Sequence, residues 1–156
     1  MKSEMVDLDK TLLPWMGRTM KAIDFLISDL FKASGLELTK AQVILLRVLT
    51  KNDGQPQQNL AFITDRDKTS LTRLINTMEK KGLVVRKQSE QDKRINKIFI
   101  TKEGFEVMKK AIPIIQKAVG VIQEGVSGKE LKRTIEVLKK VSKNVNAEEL
   151  TAPLNN

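Results

Sequence analysis

The sequence predicts a mainly α fold with one small β-hairpin wing, and three observations predict it. Apolar side chains recur at helical spacing over several long stretches, the period drops to near two only between Leu83 and Ile100, and capping residues and glycines punctuate the changes. The chain is 156 residues long with 40% hydrophobic and 30% charged side chains, which suits one domain with its own core. In the first stretch Leu13, Met16, Met20, Ile23, Ile27 and Leu30 fall at spacings of 3, 4, 3, 4 and 3, so a long helix is expected over 7–33. Leu8, Leu12, Trp15 and Leu26 add a neighbouring apolar stripe, more than one core contact requires. Pro14 lies near the start of this helix, where proline is tolerated, and Gly35 closes it.

Thr39-Lys40-Ala41-Gln42 has the form of a capping box and opens a second helix. Val43, Ile44, Leu45, Leu46, Val48 and Leu49 leave it little polar surface, so it should be central, ending at the Asn52-Asp53-Gly54 turn signal. A short third helix is expected over 57–64, a polar break over 65–67, and a fourth helix capped by Asp67 and stopped by Gly82. Leu83 to Lys87 and Asn96 to Ile100 then read as two strands joined by a polar, charged tip. Thr101 caps a fifth helix with Phe105, Met108, Ile112, Ile115, Val119, Ile122 and Val126 as a heptad seam, which Pro113 is expected to kink. Ser127-Gly128-Lys129-Glu130 is a second capping box, opening a sixth helix with Leu131, Ile135, Leu138 and Val145 on one side. Residues 148–156 read as a frayed tail.

Composition excludes several chemistries. With no cysteine and no histidine there is no disulfide framework, thiol sensor, Cys/His zinc site or Ser-His couple. Carboxylates are scattered, Glu148-Glu149 falls in the tail, and no Gly-rich phosphate loop is present, so neither an enzyme, a metal nor a cofactor is expected. No apolar run approaches the roughly 18 residues of a membrane span, and the first residues lack a signal-peptide segment, so the expected location is cytoplasmic, away from membranes. The net charge is +9, and residues 51–102 alone hold 12 basic against 6 acidic side chains. Two thirds of the positive excess thus sits in one third of the chain, the footprint of a surface facing a polyanion.

The third helix, the break, the fourth helix and the basic hairpin together form a winged helix-turn-helix. Such a unit lays its second helix in a major groove roughly 12 Å wide, which demands short polar and basic side chains at that helix's amino end. Leu71, Leu74, Ile75 and Met78 form the buried stripe of the fourth helix, while Lys68, Thr69, Ser70, Thr72, Arg73 and Asn76 lie off it. Helices one and five each carry two apolar faces where a monomer needs one, which points to a homodimer.

Leu71-Thr72-Arg73-Leu74-Ile75, Met78-Glu79-Lys80-Lys81-Gly82-Leu83-Val84, Asp92-Lys93-Arg94 and Ile100-Thr101-Lys102-Glu103-Gly104 resemble, in order and spacing, the MarR family of bacterial transcription regulators. The motif similarity spans about residues 36–106, and the flanking helices match in layout. The resemblance implies a two-fold dimer that binds a pseudo-palindromic operator in double-stranded DNA and acts as a repressor until a small ligand or oxidant releases it. It implies a DNA-binding lobe over 36–102 and dimerisation helices over 1–35 and 103–147. The family's Asp-x-Arg wing motif maps onto Asp92 and Arg94, with the arginine entering the minor groove and the aspartate orienting it. The candidate DNA contacts are therefore Lys68, Thr69, Ser70, Thr72, Arg73, Asn76, Arg86, Asp92, Lys93, Arg94 and Lys97. Without thiols or imidazoles, cysteine-based oxidant sensing and metal sensing are excluded, so any small ligand would be organic. The family's pocket between dimer helices and DNA-binding lobe would place Trp15, Met16, Arg18 and Arg47 beside it. The competing reading is a winged-helix protein-interaction module without sequence-specific DNA binding.

Overall fold

The computed structural model describes residues 7–63 and 67–145. A 3₁₀ turn at Leu8–Lys10 leads into α1 (Leu12–Ala33), followed by α2 (Lys40–Lys51), β1 (Gln55–Pro56), α3 (Gln57–Ile63), α4 (Lys68–Lys80), β2 (Val84–Gln88), β3 (Asn96–Ile100), α5 (Lys102–Ile122) and α6 (Gly128–Asn144). The fold is helical with a small antiparallel sheet, as the periodicity predicts. The sheet has a third strand that periodicity did not show. Gln55 pairs with Ile98 and Pro56 with Lys97, giving the order β1-β3-β2. Two residues are too few to display a period of two, and Pro56, unable to donate, is tolerated because β1 is an edge.

Local signals set the helix starts. Thr39 Oγ1 accepts from the Gln42 amide at 3.3 Å while Gln42 Oε1 accepts from the Thr39 amide at 3.0 Å. The same reciprocal box forms between Ser127 and Glu130, and Asp67 and Thr101 cap α4 and α5 through the amides of Ser70 and Gly104. Gly82 stops α4 with φ of 69°, a left-handed conformation that only glycine adopts without strain.

Two boundaries differ from expectation. The first helix is interrupted at Thr11, whose extended φ of −107° and ψ of 167° separate the 3₁₀ turn from α1. Helix α5 runs through Pro113 as one element but ends at Ile122, so Val126, the last position of the expected seam, falls in the turn beyond it. There Gly125 adopts φ of 74°. The expected end of the third helix and the break after it fall partly on residues 64–66, and the expected tail on residues 148–156. These positions lie outside the described residues.

The core sits in the winged lobe. Leu45, Leu46 and Leu49 of α2, Leu60 of α3, Leu71, Ile75 and Met78 of α4, Val84 of β2 and Ile98 of β3 are its largest fully buried side chains. Helix α5 enters this core closely: a Cβ placed on Gly104 would collide with the Leu83 carbonyl oxygen. The Thr101 amide and hydroxyl donate to the carbonyls of Leu83 and Gly82, tying the start of α5 to the start of β2. The outer helices are different. Only Phe31 is buried in α1, and no residue is buried in α6.

Candidate nucleic-acid interface

Helix α4 is two-sided because its apolar residues recur at helical spacing. Leu71, Leu74, Ile75 and Met78 face inward, leaving Lys68, Thr69, Arg73 and Asn76 exposed and Ser70 and Thr72 half-buried. Its amino end is built around Asp67, which accepts from the Ser70 amide at 2.9 Å and from the Ser70 hydroxyl at 2.7 Å. These bonds, the backbone one first, hold the Asp67 carboxyl below its ordinary value. Thr72 donates to the Lys68 carbonyl at 2.8 Å and accepts from Gln57 Nε2 at 3.1 Å, which fixes α3 against α4.

The wing approaches the same end. Lys68 of α4 and Arg94 of the wing tip line one cleft of about 330 Å³ together with Gln57, Gln58 and Asn96. Among the described residues Lys68, Arg73, Lys93, Arg94 and Lys97 form no ion pair. Asp92 acts on Arg94 through the backbone: Asp92 Oδ1 accepts from the Arg94 amide at 2.9 Å, and the Asp92 carbonyl accepts from the Ile95 amide. That closes the tip into a turn and leaves the guanidinium exposed.

Not every residue singled out in the sequence stands free. Arg86 is half-buried on β2, donating from Nη2 to Asn76 Oδ1 at 2.8 Å and lying 3.5 Å from Glu79 Oε2. These two predicted DNA contacts are engaged with each other. Gln57 and Gln58 were not singled out. Their one signal in the sequence is two adjacent amides opening the helix that precedes α4, too common a pair to mark a site.

A second cavity, about 620 Å³, lies between α1, α2 and α5 and is lined by Phe31, Val43, Ile44, Met108 and Ile115 together with Arg47 and Lys51. Of the four residues expected beside a ligand, only Arg47 lines it. Trp15, Met16 and Arg18 belong to the exposed first half of α1, where Trp15 is 60% exposed and its ring carries the Arg18 guanidinium 6.0 Å from its centroid. An apolar stripe marks a buried or partnered face without saying which. No group of three or more potential metal ligands occurs among the described residues, and none of their helices is long and apolar enough to cross a membrane.

Residues 38–95, spanning α2 to the wing tip, match the family model described as "MarR family". The chain is 28% identical over 134 residues to an uncharacterized HTH-type transcriptional regulator, YybA, of Bacillus subtilis, covering 86% of this chain and 88% of that one. It superposes on the crystal structure of the transcriptional regulator SlyA with a TM-score of 0.78 and 28% identity, covering 90% of this chain and 97% of the other. BpsR of Bordetella bronchiseptica, whose DNA binding is regulated by 6-hydroxynicotinic acid, shares the fold at a TM-score of 0.81 but only 16% identity, over 88% and 97% of the two chains.

Proposed function

Because this chain belongs to the MarR family of transcriptional regulators, proteins that bind DNA and catalyse no reaction, we propose that it reads a pseudo-palindromic operator as a two-fold homodimer and represses the genes beside it. The observation that carries the reading is the shared cleft, where Lys68 from the amino end of α4 and Arg94 from the wing converge, neither forming an ion pair among the described residues. In this reading Thr69, Ser70, Thr72 and Arg73 face base edges and phosphates in the major groove, while Lys93 and Lys97 meet the backbone and Arg94 enters the adjacent minor groove. A docking module would expose an apolar patch on α4, whereas the outward residues of α4 are Lys68, Thr69, Arg73, Asn76, Thr77 and Lys80.

Dimerisation is supported by what a single protomer leaves open. Leu12, Leu13, Trp15, Met16 and Met20 of α1, Ile112, Val119 and Ile122 of α5, and Ile135 and Leu138 of α6 are all exposed large apolar side chains. The α1–α2–α5 cavity suits a small organic anion with an apolar body, since its lining is apolar and Arg47 and Lys51 form no ion pair among the described residues. Release by such a ligand parallels the regulation of BpsR.

The test is a binding titration with duplex recovered from a random pool, comparing the parent with Lys68→Ala and Arg94→Ala. Each variant should weaken binding about tenfold while far-ultraviolet dichroism stays native. Equal affinity of all three would remove the cleft from the interface.

A further inference from the structure

We propose that Arg86 is a positioning residue that holds the wing at a fixed angle on α4 and does not itself touch DNA; the inference rests on the reading of α4 and the wing as the DNA-reading surface. Arg86 lies at the middle of β2, opposite Ile98 of β3. Glu79 on α4 engages it twice: Glu79 Oε1 accepts from the Arg86 backbone amide at 3.0 Å, and Glu79 Oε2 lies 3.5 Å from Nη2. Asn76, one helical turn before Glu79, takes the remaining direction of Nη2 at 2.8 Å. Arg86 Nε is buried with no partner among the described residues.

A guanidinium so placed is unsuited to a phosphate. Its charge is matched by Glu79, its head is half-buried, and pulling it out would strand the carboxylate against the wing. What the geometry does supply is rigidity. Nη2 reaches an amide and a carboxylate three residues apart on one helix face, and the same carboxylate holds the strand's backbone, so β2 cannot tilt away from α4 without breaking all three contacts. Strand β2 leads directly to the tip that carries Arg94. The brace therefore sets where Arg94 sits relative to the α4 residues, and the major-groove and minor-groove contacts keep one spacing. Lysine is a poor replacement for Arg86 in this role, because its compact, strongly hydrated ammonium lacks the rigid planar group that holds Nη2 against both partners.

The experiment is a double-variant cycle on binding to AT-flanked duplex recovered from a random pool, with salt dependence measured for each protein. Arg86→Ala and Arg94→Ala should each weaken binding about tenfold, and the double variant should be no more than about twofold weaker than Arg94→Ala alone. The salt slope of Arg86→Ala should equal the parent's, whereas loss of a phosphate contact in both subunits would reduce it by about 1.8. Arg86→Lys and Glu79→Gln should reproduce the loss. Asn76→Ala, at an exposed position, should give a smaller loss that also disappears in the Arg94→Ala background, and it supplies the cycle if Arg86→Ala does not fold. A hundredfold loss in the double variant with a reduced salt slope would overturn the brace and make Arg86 a DNA contact. Parent affinity in Arg86→Lys would overturn the need for a guanidinium. A parent that enriches no duplex would overturn the DNA reading itself, and a parent that binds with additive variants would overturn the brace alone.

Discussion

In the proposed complex, single residues at the wing tip divide into those that bind and those that shape. Asp92 spends one carboxylate oxygen on the Arg94 amide, so its contribution is the turn, and Asp92→Asn, which keeps an acceptor, should retain most affinity while Asp92→Ala loses it. Arg94→Ala should weaken binding most where operator flanks are AT-rich and leave the preference within the half-site intact, because minor-groove width carries no information about the major-groove bases. Arg94→Lys should restore charge but little affinity. Competition titrations against a set of flank variants check this, and uniform weakening across all flanks would contradict it. At the amino end of α4 Asp67 is both cap and charge. Its carboxyl is held below the ordinary value, so its stabilisation is fully present above that value and is lost as pH falls through the lowered one. Asp67→Asn keeps the cap but not the charge. Its melting temperature should sit below the parent's at pH 7, and the two should converge in acid; a constant gap down to strongly acidic pH would contradict the assignment.

Among the elements, local signals were legible and long-range pairings were not. Thr39, Asp67, Thr101 and Ser127 each act within three residues of themselves, so the sequence displays cap and partner together. Gly82 announces its turn for the same reason. In contrast, β1 exists because β3 accepts it, Arg86 is neutralised because Glu79 lies across from it on another element, and the wide cavity belongs to three helices at once. None of those partners is adjacent in the chain. The α5 seam was legible as a period but not as a partition: Met108 turns into the core while Phe105, Ile112 and Val119 remain exposed. The junction of α5 with the wing gives an element-scale prediction. A methyl at Gly104 meets the Leu83 backbone, which cannot rotate aside, so Gly104→Ala should destabilise by about 1–3 kcal/mol. Gly120→Ala, with nothing within 4 Å of the added methyl in the protomer, should not. Paired urea denaturations measure both, and a neutral Gly104→Ala would place the start of α5 farther from the wing than described.

For the whole molecule, the decisive feature is that the well-packed lobe and the open helices belong to one chain. In the proposed dimer, a 17-residue helix without a buried residue, in a chain with exposed apolar rows on two other helices, is covered by a second copy. Val119→Asp should shift sedimentation toward monomer at micromolar concentration and weaken operator binding. A dimer that persists unchanged would move the interface off α5. With about four phosphate contacts per subunit, the log–log salt slope of the dimer should be near −7, and a slope near −2 would argue against a polyanion partner. The central claim, that two copies of α4 and the wing read one duplex, is tested most directly by selecting fragments from a random DNA pool and measuring the stoichiometry of the selected complex. The account predicts a palindrome whose half-sites lie about one helical turn, roughly 10 base pairs, apart and bind two chains per duplex. A pool without enrichment, or an asymmetric site that holds a single chain, would contradict it.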